Sequence, residues 1–189
     1  ETIRQQSKDG IQLIDILIQS GIIPGIKVDM GTQALSNFPN EKITEGLDGL
    51  RERLVEYKKM GAQFAKWRAV ITIGNNIPTK ACIQANIQDL ARYASLCQEA
   101  DIVPIVEPEV LMDGNHTIQK CYEVTENVLK VLFDQLNEFK VDLEGIILKP
   151  NMVIAGKDCE QQNSIEEVAE ATVNCLLASV PSTVPAIAF

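Results

Sequence analysis

Apolar runs of strand length alternate along the chain with stretches in which apolar residues return every three or four positions. The runs predict strands at 22–28, 64–71, 103–107, 145–150 and 184–189. Between them, Leu47, Leu50, Leu54 and Tyr57 share one helical face, as do Ile83, Ile87, Leu90 and Ala94. A third helix is expected through Ile118, Tyr122, Val128, Leu132 and Leu136. A fourth begins at Ser164, which with Glu167 makes a capping-box signature ahead of an apolar face of Val168, Thr172 and Leu176. Residues 7–19 give a further short helix. Strands alternating with helices predict parallel strands joined by crossovers, so the class is α/β.

A charged residue sits near the end of four of these strands: Lys27, Lys66, Glu107 and Lys149. They recur at intervals of about 40 residues, the length of one βα unit, and eight such units would make a (β/α)8 TIM barrel of about 320 residues. This chain holds about five consecutive units. An open doubly wound sheet is the competing arrangement, but neither GxGxxG nor a Walker A turn occurs. The apolar run 184–189 has no loop after it and would leave a raw edge, so residues 1–189 are expected to be a single, incomplete barrel domain.

Composition narrows the chemistry. With 17 basic and 26 acidic residues the formal charge is −9, which argues against nucleic-acid or anionic-membrane partners, since both need clustered cations. No apolar run reaches the length of a membrane helix, and the first ten residues lack a basic-then-apolar signal pattern, so the reading is a soluble, cytoplasmic protein. Five widely spaced cysteines read as reduced thiols. A single histidine, His116, in a polar loop or helix start, cannot build a zinc site, so no metal and no cofactor are expected.

Charges at the ends of apolar strands are costly unless paired or functional. Any one of them could be a salt bridge closing a barrel mouth, but their repetition at one point of successive units predicts a basic pocket for a phosphorylated small molecule. Lys149 follows Gly145, Ile146, Ile147 and Leu148, so its amine is expected at the mouth of a dry strand. Burial, with Lys66 as a neighbouring cation, would favour the neutral amine, which can add to a ketone and form an iminium. The accompanying proton transfers need a carboxyl group; Glu107 and Glu109, flanking Pro108, are the candidates, or else they neutralise the lysines. Trp67, between Lys66 and Arg68, should face the other side of its strand and pack.

Four segments carry a resemblance: Pro24 to Asp29, Phe64 to Arg68, Val103 to Glu109, and Leu148 to Val153. In order and spacing they resemble class I fructose-bisphosphate aldolases, and 44–50 and 91–97 are similar as well. The resemblance implies reversible cleavage of fructose 1,6-bisphosphate to dihydroxyacetone phosphate and glyceraldehyde 3-phosphate, a glycolytic role and a homotetramer. It implies that Lys149 forms the Schiff base, Glu107 transfers protons, Lys66 assists at the reacting hydroxyl, Glu109 organises the lysines, and Lys27 and Arg68 hold the distal phosphate.

The family's aspartate on the first barrel strand, its Leu-Ser-Gly-Gly phosphate loop, its last-strand arginine and its C-terminal tyrosine have no counterpart in these residues. The isolated 189-residue polypeptide is therefore expected to be inactive. The alternatives are another lysine-dependent sugar-phosphate aldolase, or a barrel that has lost turnover and acts as a scaffold.

Overall fold

The computed structural model describes residues 2–189. In chain order the elements are α1 Leu13–Gln19, β1 Gly25–Lys27, β2 Thr32–Ala34, β3 Lys42–Thr44, α2 Leu50–Lys59, β4 Phe64–Ile71, α3 Lys80–Glu99, β5 Val103–Val110, α4 Ile118–Glu138, β6 Ile147–Leu148 and α5 Ile165–Ser179. One parallel sheet has the order β1-β4-β5-β6, while β2 and β3 form a separate antiparallel hairpin. No helix among the described residues is long and apolar enough to cross a membrane.

Alternation along β4 explains the layering. Ala65, Trp67 and Ala69 are fully buried, and between them stand the half-buried Lys66 and Arg68. Trp67 meets Tyr93 of α3 with ring centroids 5.6 Å apart, and the Tyr93 hydroxyl donates to the Ile105 carbonyl at 3.2 Å. Trp67 is thus a packing residue, as its parity predicts. Ile83, Ile87, Leu90 and Ala94 on α3, and Val128, Leu132 and Leu136 on α4, are all buried, so the helical period read from the sequence is the face that covers the sheet.

The caps fix where these helices start. Thr79 accepts from the Cys82 amide at 3.1 Å, and Thr117 accepts from the Lys120 amide at 3.2 Å. Ser164 and Glu167 form the full capping box: the Ser164 amide donates to Glu167 at 2.7 Å, and the Glu167 amide donates back to the Ser164 hydroxyl at 3.2 Å. The buried residues of α5 are Thr172 and Cys175, with Val168 and Leu176 only half-buried, a face rotated from the one expected.

Several strand limits differ from expectation. The first strand is three residues long, because Pro24 offers no N–H and Ile22 and Ile23 are exposed. Gly25 stands opposite Phe64, whose ring occupies the space a Cβ would need. The third strand runs on to Val110. The fourth shrinks to Ile147–Leu148, since Leu143–Gly145 is a 3-10 turn capped by Asp142 and Pro150 ends the ladder. At 184–189 there is one parallel bridge, Leu148 to Ile187, held by Leu148 N to Ala186 O at 3.1 Å and Ala188 N to Leu148 O at 2.9 Å. Within 7–19 only Leu13–Gln19 is helical; Ser7 instead nucleates a turn by accepting from the amides of Asp9 and Ile11.

Candidate active site

Parallel strands present their C-terminal ends on one side, where chain after chain of this architecture keeps its chemistry. Register then sets who meets whom. Lys27 pairs with Lys66 across β1 and β4, and Arg68 with Glu107 across β4 and β5. One place beyond the Val106 to Leu148 pair, Glu107 and Lys149 fall side by side, with the Lys149 amide donating to the Val106 carbonyl at 2.8 Å.

Glu107 is 3% exposed. A lone carboxylate at that depth would cost several kcal/mol, and here two ammonium groups offset the cost. Lys149 Nζ donates to Oε1 at 2.9 Å, and Lys66 Nζ lies 2.7 Å from Oε2. Both lysine side chains are about a third exposed, while the Glu107 they share is buried. Lys66 and Lys149 thus meet through the carboxylate that each of them binds. Such a group can take a proton from one amine and return it to a bound molecule without either moving far.

Lys149 also lines a cavity of about 320 Å³, together with Arg68, Glu109, Met112, Asn151 and Phe189 among others. Arg68 is ion-paired with Glu109 through both Nε and a terminal nitrogen. Glu109 therefore holds Arg68, and the organising of the two lysines expected of it falls to Glu107. Two positions along one strand face separate these carboxylates, and the longer reach of arginine takes it to the outer one.

Lys27 is placed elsewhere. It pairs with Asp29, whose side chain is 2% exposed, and lines a separate hollow of about 230 Å³ with Arg4, Met30, Arg53 and Tyr57. Asp29 also accepts from the amides of Gly31 at 3.1 Å and Arg68 at 3.2 Å, so it ties the end of β1 to β4. The structure thus gathers Lys66, Glu107 and Lys149 in one cluster, sets Arg68 and Glu109 on its rim, and puts Lys27 on the next strand behind Asp29.

Beyond the strands, the loops after β5 and β6 are laced together by backbone bonds. Lys157 N donates to Met112 O at 2.8 Å, Asp158 N to Gly114 O at 2.9 Å, and Gly156 N to His116 O at 2.8 Å. The Lys157 ammonium adds an ion pair with Asp113, which holds the Asp113 carboxyl below its usual range. His116 lies beneath this lacing, 8% exposed, and neither ring nitrogen has a hydrogen-bond partner among the described residues; burial pushes its pKa down.

Packing silences the buried thiols. Burial pushes the Cys82 and Cys97 thiols up to about 12 and Cys175 up to about 11, so none is a thiolate near neutral pH. Among the described residues, no group of three or more His, Cys, Asp or Glu side chains is placed to hold a metal ion.

Known proteins are similar to this chain over its whole length. The family model described as fructose-bisphosphate aldolase class-I matches residues 1–189. A probable fructose-bisphosphate aldolase class 1 from Xanthomonas axonopodis pv. citri is 61% identical over 100% of this chain and 57% of its own length. Fructose-bisphosphate aldolase 6, cytosolic, from Arabidopsis thaliana is 50% identical over 100% of this chain and 52% of its own. Among solved structures, fructose-bisphosphate aldolase from Plasmodium falciparum, crystallised with TRAP and a small-molecule inhibitor, superimposes with a TM-score of 0.98 at 46% identity, over 100% of this chain and 55% of that one. The fold is that of a partial α/β TIM barrel, and the chain spans about half the length of the curated relatives it matches.

Proposed function

This chain belongs to the class I fructose-bisphosphate aldolase family, and on that premise we propose that the complete protein carrying it cleaves fructose 1,6-bisphosphate reversibly through a Schiff base on Lys149. The observation that supports this reading most is the shared carboxylate, with Lys149 at 2.9 Å from Glu107 Oε1 and Lys66 at 2.7 Å from Oε2.

In the proposed sequence, Lys149 gives its proton to Glu107 and its nitrogen adds to the C2 carbonyl of the open-chain sugar. Glu107 then protonates the carbinolamine hydroxyl, which leaves as water, and an iminium remains. Glu107, ionised again, takes the C4 hydroxyl proton, and the C3–C4 bond breaks. Its electron pair moves into the iminium to give an enamine, and glyceraldehyde 3-phosphate departs. Protonation of the enamine at C3 and addition of water release dihydroxyacetone phosphate and restore the amine. Lys66 would stabilise negative charge as the hydroxyl proton is lost.

Arg68 and Lys27 are the proposed phosphate ligands. Both are about half exposed and hold a carboxylate in the structure, so a phosphate would share or displace Glu109 and Asp29 as counter-ion. Residues 1–189 are proposed as one incomplete barrel domain that alone is inactive, with the complete protein a cytoplasmic homotetramer acting in glycolysis. The test is a cleavage assay on the complete protein with the bisphosphate in excess chelator. Equimolar release of the two triose phosphates is expected; no release would refute the reading.

A further inference from the structure

Strand β6 pairs over only two residues, Ile147 with Ile105 and Leu148 with Val106, yet Lys149 just beyond it must meet Glu107 at a defined angle. Pro150 has no N–H with which to continue the ladder. The amide of Val110, at the end of β5, meets a side chain instead: it donates to Asn151 Oδ1 at 3.1 Å. The other end of the same amide group, Asn151 Nδ2, donates to the Thr125 hydroxyl of α4 at 3.0 Å and to the Met152 carbonyl at 3.0 Å. Thr125 is 1% exposed, so this anchor is held by the core.

We propose that Asn151 is a positioning residue of the aldolase site, replacing the missing strand ladder with a side-chain bridge from β5 to α4 and thereby setting how Lys149 faces Glu107. The bridge needs an acceptor and a donor on one short planar group. Leucine supplies neither, and glutamine carries an extra methylene between the backbone and the amide. Glu107 and Glu109 lie just upstream of Val110, and Lys149 lies just upstream of Asn151, so one amide links the segments that bear both halves of the site. Asn151 acts through these neighbours and has no reacting atom of its own.

The inference rests on the aldolase reading, and the experiment separates the two. In the complete protein, Asn151→Ala, Thr125→Val and Thr125→Ser are compared with the unvaried sequence. The readouts are kcat and KM for bisphosphate cleavage, the rate of borohydride trapping of dihydroxyacetone phosphate on Lys149, and the thermal midpoint. A loss of alignment lowers kcat and the trapping rate by between about 10-fold and about 100-fold in Asn151→Ala. KM stays close to its original value, Thr125→Val falls part of the way, and Thr125→Ser keeps the rate of the unvaried protein.

Wild-type kcat and trapping rate in both Asn151→Ala and Thr125→Val would overturn the inference, as would equal losses in the valine and serine variants. If Asn151→Ala does not fold, the Thr125 pair decides. An unvaried protein that neither cleaves nor traps contradicts the aldolase reading and takes this inference with it.

Discussion

Glu107 and Lys149 meet at 2.9 Å across two strands that have just stopped pairing, and the same carboxylate binds Lys66 with its second oxygen. The site is therefore a three-residue charge cluster whose acid is the buried member. Replacing Glu107 by Gln keeps the shape and removes the proton acceptor. Cleavage by the complete protein is expected to fall between about 100-fold and about 10,000-fold, while far-ultraviolet circular dichroism stays unchanged. A Gln variant with undiminished kcat would remove Glu107 from the proton path.

Gly156 is set by space and not by backbone conformation. A Cβ there would overlap the Gly114 carbonyl and lie 3.0 Å from the His116 backbone nitrogen, in the middle of the loop-to-loop lacing. Gly156→Ala should destabilise by about 1–3 kcal/mol, read as a lower midpoint in urea unfolding. An unchanged midpoint would mean that the two loops can part at no cost.

His116 gives a pH dependence with a definite sign. Burial lowers its pKa from the ordinary 6.5, so as pH falls below about 6.5 the unfolded chain takes up a proton before the folded one does. Stability is lost over the window from there down to the folded pKa, and the histidine contributes no pH dependence well above it. Urea midpoints at pH 8 and pH 5.5 should differ less in His116→Phe than in the unvaried protein, since the other titrating groups are common to both. Equal differences would show that folding leaves the His116 pKa unchanged.

The capping box at α5 makes a separate claim. Ser164→Ala removes the acceptor of the Glu167 amide and should cost about 1 kcal/mol. The Ser164 amide, followed by Asn163, holds the Glu167 carboxyl below its usual range, so the contribution of Glu167 to the cap is full above its ordinary pKa and is lost as pH falls from there through the lowered value. Thermal midpoints of the serine and alanine forms at neutral pH check the first part; a loss in Glu167→Ala at neutral pH that shrinks in acid checks the second.

The helices were legible because burial imposes a period on them: the faces of α3 and α4 are the apolar residues at helical spacing, and the Ser164 and Glu167 pair marks the start of α5. Strand β4 was legible to the residue, and its half-buried and buried positions alternate from Phe64 to Ala69. The hairpin of β2 and β3 was not. Gln33, Ala34 and Lys42 are exposed, and the hairpin is held instead by Thr44 donating to the Arg68 carbonyl and by Asn86 donating to the Lys42 carbonyl, bonds between distant residues that leave no periodic trace.

The same limit applies at the site. Residue types and spacing brought Lys66, Glu107 and Lys149 to notice, but which carboxylate meets which cation depends on register and reach. Glu109 therefore goes to Arg68, and Lys27 goes to a separate hollow behind Asp29. Asp29 and Asn151 stood in the recognised segments without a role, because their work is to accept or donate to backbone amides and hydroxyls some tens of residues away.

The central claim is that the amine at 149 bonds to a ketone. Incubating the complete protein with dihydroxyacetone phosphate, reducing with borohydride and mapping peptides by mass tests it most directly. The account predicts one adduct, on the peptide containing Lys149, absent from Lys149→Arg. An adduct on another lysine, or none in a protein that still cleaves the bisphosphate, would contradict it.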